Sequence, residues 1–172
     1  MLALSCLQAS AQRTMNRQPS IRLDALVTDS SFGADAFYSQ YTLGGFWESG
    51  IRTGHYSTAT SAGPSLDCLH FAVEGRYMFR LVETRSRSVS LYGGAGAFIG
   101  YESIDPFAKF PSIYESKLKN GYFLYGLTTS LEAEFFVSRT VALTLTGNIP
   151  INFSSPLGMF HYEGGLGVKI LL

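Results

Sequence analysis

Residues that mark several classes of protein are scarce in this sequence. Its 172 residues contain two cysteines, Cys6 and Cys68, and its 13 basic and 13 acidic residues cancel to a net charge of zero. Two cysteines do not form a disulfide framework, and a neutral chain gains no general attraction to nucleic acid. We therefore predict neither a disulfide-rich scaffold nor a protein that binds nucleic acid directly.

Long hydrophobic runs are absent as well. No stretch approaches the roughly 20 consecutive apolar residues that a transmembrane helix needs. This excludes helical membrane proteins only, because a transmembrane strand needs just about 10 residues of alternating pattern. What the chain does have is 13 Phe, 10 Tyr and 18 Gly. Aromatic residues favour strands, and runs of helix-forming residues are few.

The N-terminal segment has the features of an export signal. Met1–Gln12 reads MLALSCLQASAQ, a short apolar stretch followed by the small-x-small sequence Ala9-Ser10-Ala11. We expect residues 1–12 to be a signal peptide that lacks its charged leader, 13–19 to be a linker and 20–172 to be one folded domain. The alternative is a lipoprotein signal lipidated at Cys6. Because few residues precede Cys6, ordinary cleavage is favoured.

The segment Leu69–Val82 alternates between apolar and polar residues. Successive side chains of a strand point to opposite faces, so this period predicts a strand, whereas a helix would mix the two sets. One face carries Leu69, Phe71, Val73, Tyr77, Phe79 and Leu81, and the other carries His70, Ala72, Glu74, Arg76, Met78 and Arg80.

Similar segments recur along the chain and bring the predicted number of strands to about eight. Three more are regular: Tyr122–Val137, Thr140–Phe153 and a final one from Phe160 to Ile170. Four are less regular: Ser20–Thr28, Ala34–Leu43, Phe46–Tyr56 and Ser88–Glu102. Eight is a common size for a transmembrane barrel. We predict an all-β fold, a single transmembrane antiparallel up-and-down β-barrel.

The predicted connections differ in length in the way that such barrels require. Short ones are Gly44-Gly45, Glu83–Arg87 and Ser138-Arg139, and long ones are Ser57–Asp67 and Ser103–Asn120. Transmembrane barrels have short periplasmic turns and longer extracellular loops. The short connection near Asp29–Ser31 breaks this regularity.

The apolar parity favours lipid over water as the surroundings. A soluble lipocalin-like cup would place its apolar set inside. Eight strands leave an interior that side chains just fill, so the bulky aliphatic residues cannot all point inward. We therefore expect the apolar set to point outward and the other set, largely Gly, Ser, Thr and Ala with a few charges, to point inward. Tyr and Phe also stand near strand ends, as in interfacial girdles. These are Tyr77, Tyr101, Phe123, Phe135, Phe153 and Phe160.

Two stretches of the C-terminal half resemble the characteristic segment of the conjugal transfer protein TraO family. They read NGYFLYG at Asn120–Gly126 and LEAEFFVSRTVAL at Leu131–Leu143. The flanking pieces that fit are FYSQYTLGG at Phe37–Gly45, FAVEGRYMFRL at Phe71–Leu81, SLYGGAGAFIGYE at Ser90–Glu102 and GGLGVKILL at Gly164–Leu172. The resemblance covers most of the chain after Ile21. It departs from the family at Gly147–Pro150, where members commonly carry a charged stretch, and at Leu172, where many barrels end in an aromatic residue.

The resemblance implies a function and a location. Family members are encoded in conjugative transposons, so we expect a structural or assembly component of a conjugative-transfer apparatus in the outer membrane of a Gram-negative bacterium. Its expected partners are outer-membrane lipid and other conjugation proteins, with no nucleic acid bound directly and no small-molecule substrate. The alternatives are a stand-alone structural or adhesion barrel and, less favoured, a lipid-modifying barrel enzyme.

The residues that could carry out catalysis are better explained by a structural role. Glu132 and Glu134 share a face and could act as an acid–base pair, but buried carboxylates need cationic partners. We predict a structural charge network inside the barrel, formed by Glu74, Arg76, Arg80, Glu132, Glu134 and Lys169.

No catalytic, metal or cofactor site is expected. His55, His70 and His161 lack metal-ligand spacing, and His161 and Glu163 lie on the inward parity, where a lipid-modifying triad could not work. Gly93–Gly96 does not match a dinucleotide fingerprint. The remaining candidate is a partner-binding loop, because aromatic residues beside charges suit protein recognition. Its residues are Phe107, Phe110 and Tyr114.

Overall fold

The computed structural model describes residues 17–28, 31–58, 66–104, 121–154 and 162–172. The predicted signal peptide and the partner loop containing Phe107, Phe110 and Tyr114 lie outside these residues. No helix of the described chain is long and apolar enough to cross a membrane. The strands are β1 (Pro19–Thr28), β2 (Ser31–Thr42), β3 (Gly45–Thr58), β4 (Leu66–Glu83), β5 (Val89–Ile104), β6 (Tyr122–Phe136), β7 (Val141–Asn152) and β8 (Glu163–Leu171).

The eight strands form a closed antiparallel barrel in sequence order. Each strand pairs with the next, and β1 pairs with β8 through partners from Ser20↔Leu171 to Val27↔Gly164. Closure leaves no unpaired sheet edge, so every strand has two hydrogen-bonded neighbours. The predicted all-β up-and-down barrel is confirmed.

The connections separate the two ends of the barrel. At one end, here called the turn end, strands are joined through Leu43-Gly44, residues 84–88 and residues 137–140. At the other, the loop end, the strands adjoin residues 29–30, 59–65, 105–121 and 153–162. The long strands reach further towards the loop end than expected. Thr58, Leu66 and Ile104 belong to strands, although the sequence placed them in or at the edge of loops.

Burial alternates along the strands with the polarity that the sequence predicts for a barrel in lipid. In β6 the exposed and buried positions follow one another almost without interruption. Leu131 is 55% exposed, whereas Glu132 beside it is 1% exposed. Most of the large apolar side chains therefore cover the outside, and the inside holds the charged side chains together with a smaller set of apolar ones. This is the reverse of a soluble lipocalin-like cup.

Outward-facing aromatic side chains gather near the two ends. Near the turn end, Trp47 packs on Tyr77 with ring centroids 4.6 Å apart, and Tyr77 packs on Phe79 at 4.6 Å. Near the loop end, Tyr125 lies between Phe123 and Phe153 at 6.5 Å and 6.0 Å. Aliphatic side chains occupy the band between, for example Val73 and Leu145. Such belts mark the two water interfaces of a membrane barrel.

Candidate functional site

The interior is filled in layers. Nearest the turn end is an apolar plug of Tyr41, Phe46, Met78, Tyr92, Phe136, Ala142 and Leu171, all of them buried. Its rings make close contacts, with Phe46 lying 5.1 Å from Tyr41 and 4.8 Å from Tyr92. A smaller apolar cluster of Ala72, Phe98 and Leu124 lies towards the loop end. Along β4, the charged residues Glu74 and Arg76 lie between Ala72 of this cluster and Met78 of the plug.

Buried ion pairs connect into one continuous chain, here called the ionic chain. Successive members are in contact in the order Glu134, Lys169, Glu132, Arg22, Glu48, Arg76, Glu74, Arg52 and Glu163. These residues come from β1, β3, β4, β6 and β8. The chain therefore ties together strands that are not all neighbours in the sheet, across the width of the barrel.

Arg22 is the branch point of the ionic chain. Its guanidinium contacts Glu132, lies 3.3 Å from Glu48 and pairs through Nε with Asp24 at 2.7 Å. Its side chain is fully inaccessible. A buried arginine is tolerated only when carboxylates offset the loss of its hydration, and these three are the nearest of its four carboxylate partners.

Arg76 forms a second centre. Its Nε donates to Glu48, and its Nη1 donates to Ser130 at 2.8 Å and Asn148 at 3.0 Å. The ring of Phe37 lies between the two arginines, 4.6 Å from the Arg76 guanidinium and 4.8 Å from that of Arg22. Both cations thus gain an aromatic face as well as carboxylates.

Lys169 closes the ionic chain at the apolar plug. Its ammonium contacts Glu132, donates to Glu134 at 2.6 Å and lies 4.0 Å from the centroid of Phe46. The hydroxyl of Tyr41 donates to Glu134 at 2.5 Å. A residue of the plug therefore shares a carboxylate with the ionic chain, so the apolar and charged layers are fixed to each other.

Carboxylates outnumber cations in the interior. The buried acidic residues among those described are Asp24, Asp35, Glu48, Glu74, Glu102, Glu132, Glu134 and Glu163, and the buried Lys and Arg are Arg22, Arg52, Arg76 and Lys169. The excess is most evident at Asp35. Neither of its carboxylate oxygens has a hydrogen-bond partner, and its ion pair with Arg22 Nη2 is 3.9 Å long.

The structure brings together most of the predicted network. Glu74, Arg76, Glu132, Glu134 and Lys169 all belong to the ionic chain. Arg80 does not join them. It lies at the turn end with its side chain 29% exposed, pairs with Glu83 at 3.3 Å and donates to the carbonyl of Leu43 at 2.5 Å. Parity placed Arg80 on the correct face, but parity carries no information about depth.

Seven of the twelve buried Asp, Glu, Lys and Arg residues among those described were not in the predicted network. They are Arg22, Asp24, Asp35, Glu48, Arg52, Glu102 and Glu163, of which the sequence had assigned Glu163 to the inward face without placing it in the network. A usable signal was present: in β1 the sequence Ile21-Arg22-Leu23-Asp24 alternates as clearly as β4 does. In β2 and β3 the outward positions include Ala34, Ser49 and Thr53, so the polar parity does not stand out.

Glycines on the inner face make room for the larger side chains. Gly96 faces Arg76 across the β4–β5 pair, and a Cβ there would collide with Arg76 Cβ. Among the described residues, the interior is packed with side chains, as expected of an eight-stranded barrel. No group of three or more His, Cys, Asp or Glu side chains in the described residues could hold a metal ion.

Solved structures with the same fold are outer-membrane proteins. Ail, the attachment invasion locus protein of Yersinia pestis, aligns with a TM-score of 0.56 and 16% identity, over 92% of this chain and 100% of that chain. Neisserial surface protein A (NspA) aligns with a TM-score of 0.56 and 14% identity, over 90% and 95%. OprG from Pseudomonas aeruginosa aligns with a TM-score of 0.52 and 10% identity, over 95% of each chain. The fold is therefore that of an eight-stranded β-barrel of the outer-membrane type.

The family is shown by sequence. The model for conjugative transposon protein TraO matches residues 26–172, so the chain belongs to this family, as the motifs of its C-terminal half indicated. No curated protein matches the sequence.

Proposed function

We propose that this protein is a closed barrel in the outer membrane of a Gram-negative bacterium, where it serves as a structural component of a conjugative-transfer apparatus. Membership of the conjugative transposon protein TraO family carries the role in transfer. The outer-membrane barrels with the same fold and the apolar, aromatic-bordered exterior support the location. The packed interior supports a structural role.

We infer from the interior that a single barrel does not conduct DNA. The apolar plug closes the turn end, and the ionic chain crosses the space above it. A DNA strand needs an open, hydrated passage, which this interior does not provide. In planar bilayers the purified protein should show no steady conductance. A stable open channel would contradict the closed-barrel proposal.

We infer that the protein is not an enzyme. Glu132 and Glu134, the pair that could act in acid–base chemistry, are engaged by Arg22, Lys169 and Tyr41 and lie 1% and 0% exposed. A substrate could not reach them without opening the barrel. The protein therefore acts through its outer surfaces, by contact with other components of the transfer apparatus.

The turn end carries a basic surface suited to an acidic partner. Arg17, Arg85 and Arg139 are exposed there, and Arg87 is half-exposed. Glu83 is the acidic side chain that accompanies them among the described residues of this end, and it is engaged by Arg80. Short turns of outer-membrane barrels lie on the periplasmic side, so we infer that this surface faces the periplasm. Its charge would attract a periplasmic part of the transfer apparatus with an acidic face.

Deletion of the gene in the donor cell tests the proposed function. Transfer of the mobile element should fall sharply, with growth and envelope integrity unchanged, and the intact gene should restore it. Normal transfer from the deletion strain would contradict the role in conjugation and leave a stand-alone barrel.

Complementation then identifies the partner surface. A copy carrying Arg85→Glu and Arg139→Glu should assemble in the membrane but restore transfer poorly. The comparison is a copy lacking residues 107–114, the predicted partner loop. Full transfer with the arginine variant and loss of transfer with the loop deletion would assign partner binding to the loop end instead.

A further inference from the structure

A groove interrupts the apolar exterior where β6, β7, β8 and β1 run side by side. Leu131 pairs with Gly147, Gly147 with Gly164, and Gly164 with Val27, so these four outward positions form one row across the strands. The two central positions have no side chain, whereas Leu131 is 55% exposed and Val27 is 64% exposed. The cavity at this place has a volume of about 650 Å³.

The fold does not require glycine at either central position. A Cβ at Gly147 would meet no atom within 4 Å, and one at Gly164 would meet only the carbonyl oxygen of Val27 at 3.9 Å. This differs from the inner face, where a Cβ at Gly96 would collide with Arg76. The groove is therefore open to a side chain or to a ligand, and no packing constraint accounts for it.

The lining of the groove changes in polarity along the barrel axis. Val27, Leu131 and Ile149 are apolar walls, while Thr129 and Tyr162 place hydroxyl-bearing side chains in the same lining. Ser130, Asn148 and Glu163 also border the cavity, but they belong to the inward parity and their side chains are buried. Thr129 lies closer to the loop end of β6 than Leu131, and Tyr162 lies just beyond the loop end of β8. A ligand matching this arrangement is a long apolar chain with hydrogen-bonding groups at its loop-end extremity.

We propose that the groove between Leu131 and Val27, over Gly147 and Gly164, is a binding site for an acyl chain of a membrane lipid. The site is continuous with the apolar exterior, which in the proposed location is surrounded by acyl chains. Packing of a chain against the bare backbone supplies dispersion contacts that a convex surface lacks. The hydroxyls of Thr129 and Tyr162 are placed to meet the ester groups of the lipid.

A second copy of the protein could fill the groove only if the two-fold axis lay beside it, so that an apolar wall of one copy entered the groove of the other. An axis through the glycines would place groove against groove and double the void. A flexible acyl chain can follow the groove without this mismatch.

Photo-crosslinking in vesicles of phosphatidylethanolamine and phosphatidylglycerol tests the site. The probe is phosphatidylethanolamine with a diazirine on one acyl chain, and crosslinked peptides are mapped by mass spectrometry. The variants are Gly147→Leu and Gly164→Leu, each of which fills the groove. Gly75→Leu is the matched control, because Gly75 is also exposed and its Cβ would likewise meet nothing within 4 Å.

Crosslinking at Val27 and Leu131 should exceed that at Val73, next to the control glycine. It should fall about tenfold in the groove variants, equivalent to about 1.4 kcal/mol, and stay unchanged in Gly75→Leu. Uniform crosslinking around the barrel, or equal losses in all three variants, would overturn the proposal. So would a dimer of the original protein that the groove variants alone dissociate, since the occupant would then be a second copy.

This inference rests on the proposed membrane location but not on the role in transfer. Only protein that has inserted, recognised by its heat-dependent migration on gels, is compared. A failure to insert would count against the location, whereas uniform crosslinking of inserted protein counts against the groove alone.

Discussion

Asp24 and Asp35 stand directly opposite each other on β1 and β2, with both side chains fully inaccessible inside the barrel. Their partners differ. Asp24 pairs with Arg22 Nε at 2.7 Å and accepts a hydrogen bond from the Thr144 hydroxyl at 2.7 Å. Asp35 has the 3.9 Å contact with Arg22 and no hydrogen bond. Like charges that face each other across two strands destabilise the pair, so the interior holds one poorly compensated carboxylate.

This asymmetry makes a prediction for two matched variants. Asp35→Asn removes the repulsion and can donate to Asp24, so we expect the free energy of unfolding to rise by about 1 kcal/mol. Asp24→Asn weakens the contact with Arg22 and should lower the free energy of unfolding by about 1.5–3 kcal/mol. Urea midpoints of protein refolded in lipid measure both. A greater loss of stability from Asp35→Asn than from Asp24→Asn would show that Asp35 is well compensated.

A comparison of Lys169 with Arg80 distinguishes a member of the ionic chain from a charged residue at the turn end. Lys169→Met leaves Glu132 and Glu134 beside each other without their shared cation, and should cost about 3–5 kcal/mol. Arg80→Met removes a partly exposed pair with Glu83 and should cost at most about 1 kcal/mol. Equilibrium unfolding of the two variants under the same conditions gives the comparison. Equal costs would place Arg80 in the same network as Lys169, as the sequence predicted.

Arginine substitutions at two depths on the exterior test whether the apolar face contacts lipid. Leu145 is 50% exposed in the middle of the exterior, and Leu145→Arg should cost roughly 2–4 kcal/mol because it sets a charge against lipid. Val137 lies in a connection at the turn end, and Val137→Arg should cost about 0–1 kcal/mol because the headgroup region is polar. Unfolding in bilayers measures the difference. Similar small costs for both would mean that water, and not lipid, surrounds Leu145.

The proposed location has a simple biochemical signature. The protein should fractionate with the outer membrane, remain there after carbonate extraction and migrate differently on gels before and after boiling. The physical reason is that a closed barrel satisfies all backbone hydrogen bonds internally and resists detergent until it is heated. Recovery from the periplasm without detergent would refute a membrane barrel.

Much of the fold could be predicted from the sequence because side chains of a strand alternate strictly. The outward set of Leu69, Phe71 and Val73 and the inward Glu74 and Arg76 followed from counting residues, and all lie where the period placed them. Eight alternating segments with short and long connections indicated the closed barrel. The apolar parity on the larger, convex surface indicated lipid, because a narrow interior cannot accept so many bulky residues. The family motifs gave what periodicity alone cannot, the connection with conjugation.

Partner choice inside the barrel was decided only by the tertiary structure. Whether Glu132 meets Arg22 or Arg80 depends on strand register, tilt and depth, and residues distant in the chain come to the same level only when the barrel closes. The same is true of Asp24 facing Asp35, and of Gly147 meeting Gly164 on the outside. Alternation fixes the face on which a side chain lies, because it is a property of each strand. Depth and contact are properties of all eight strands together, so only the closed barrel determines them.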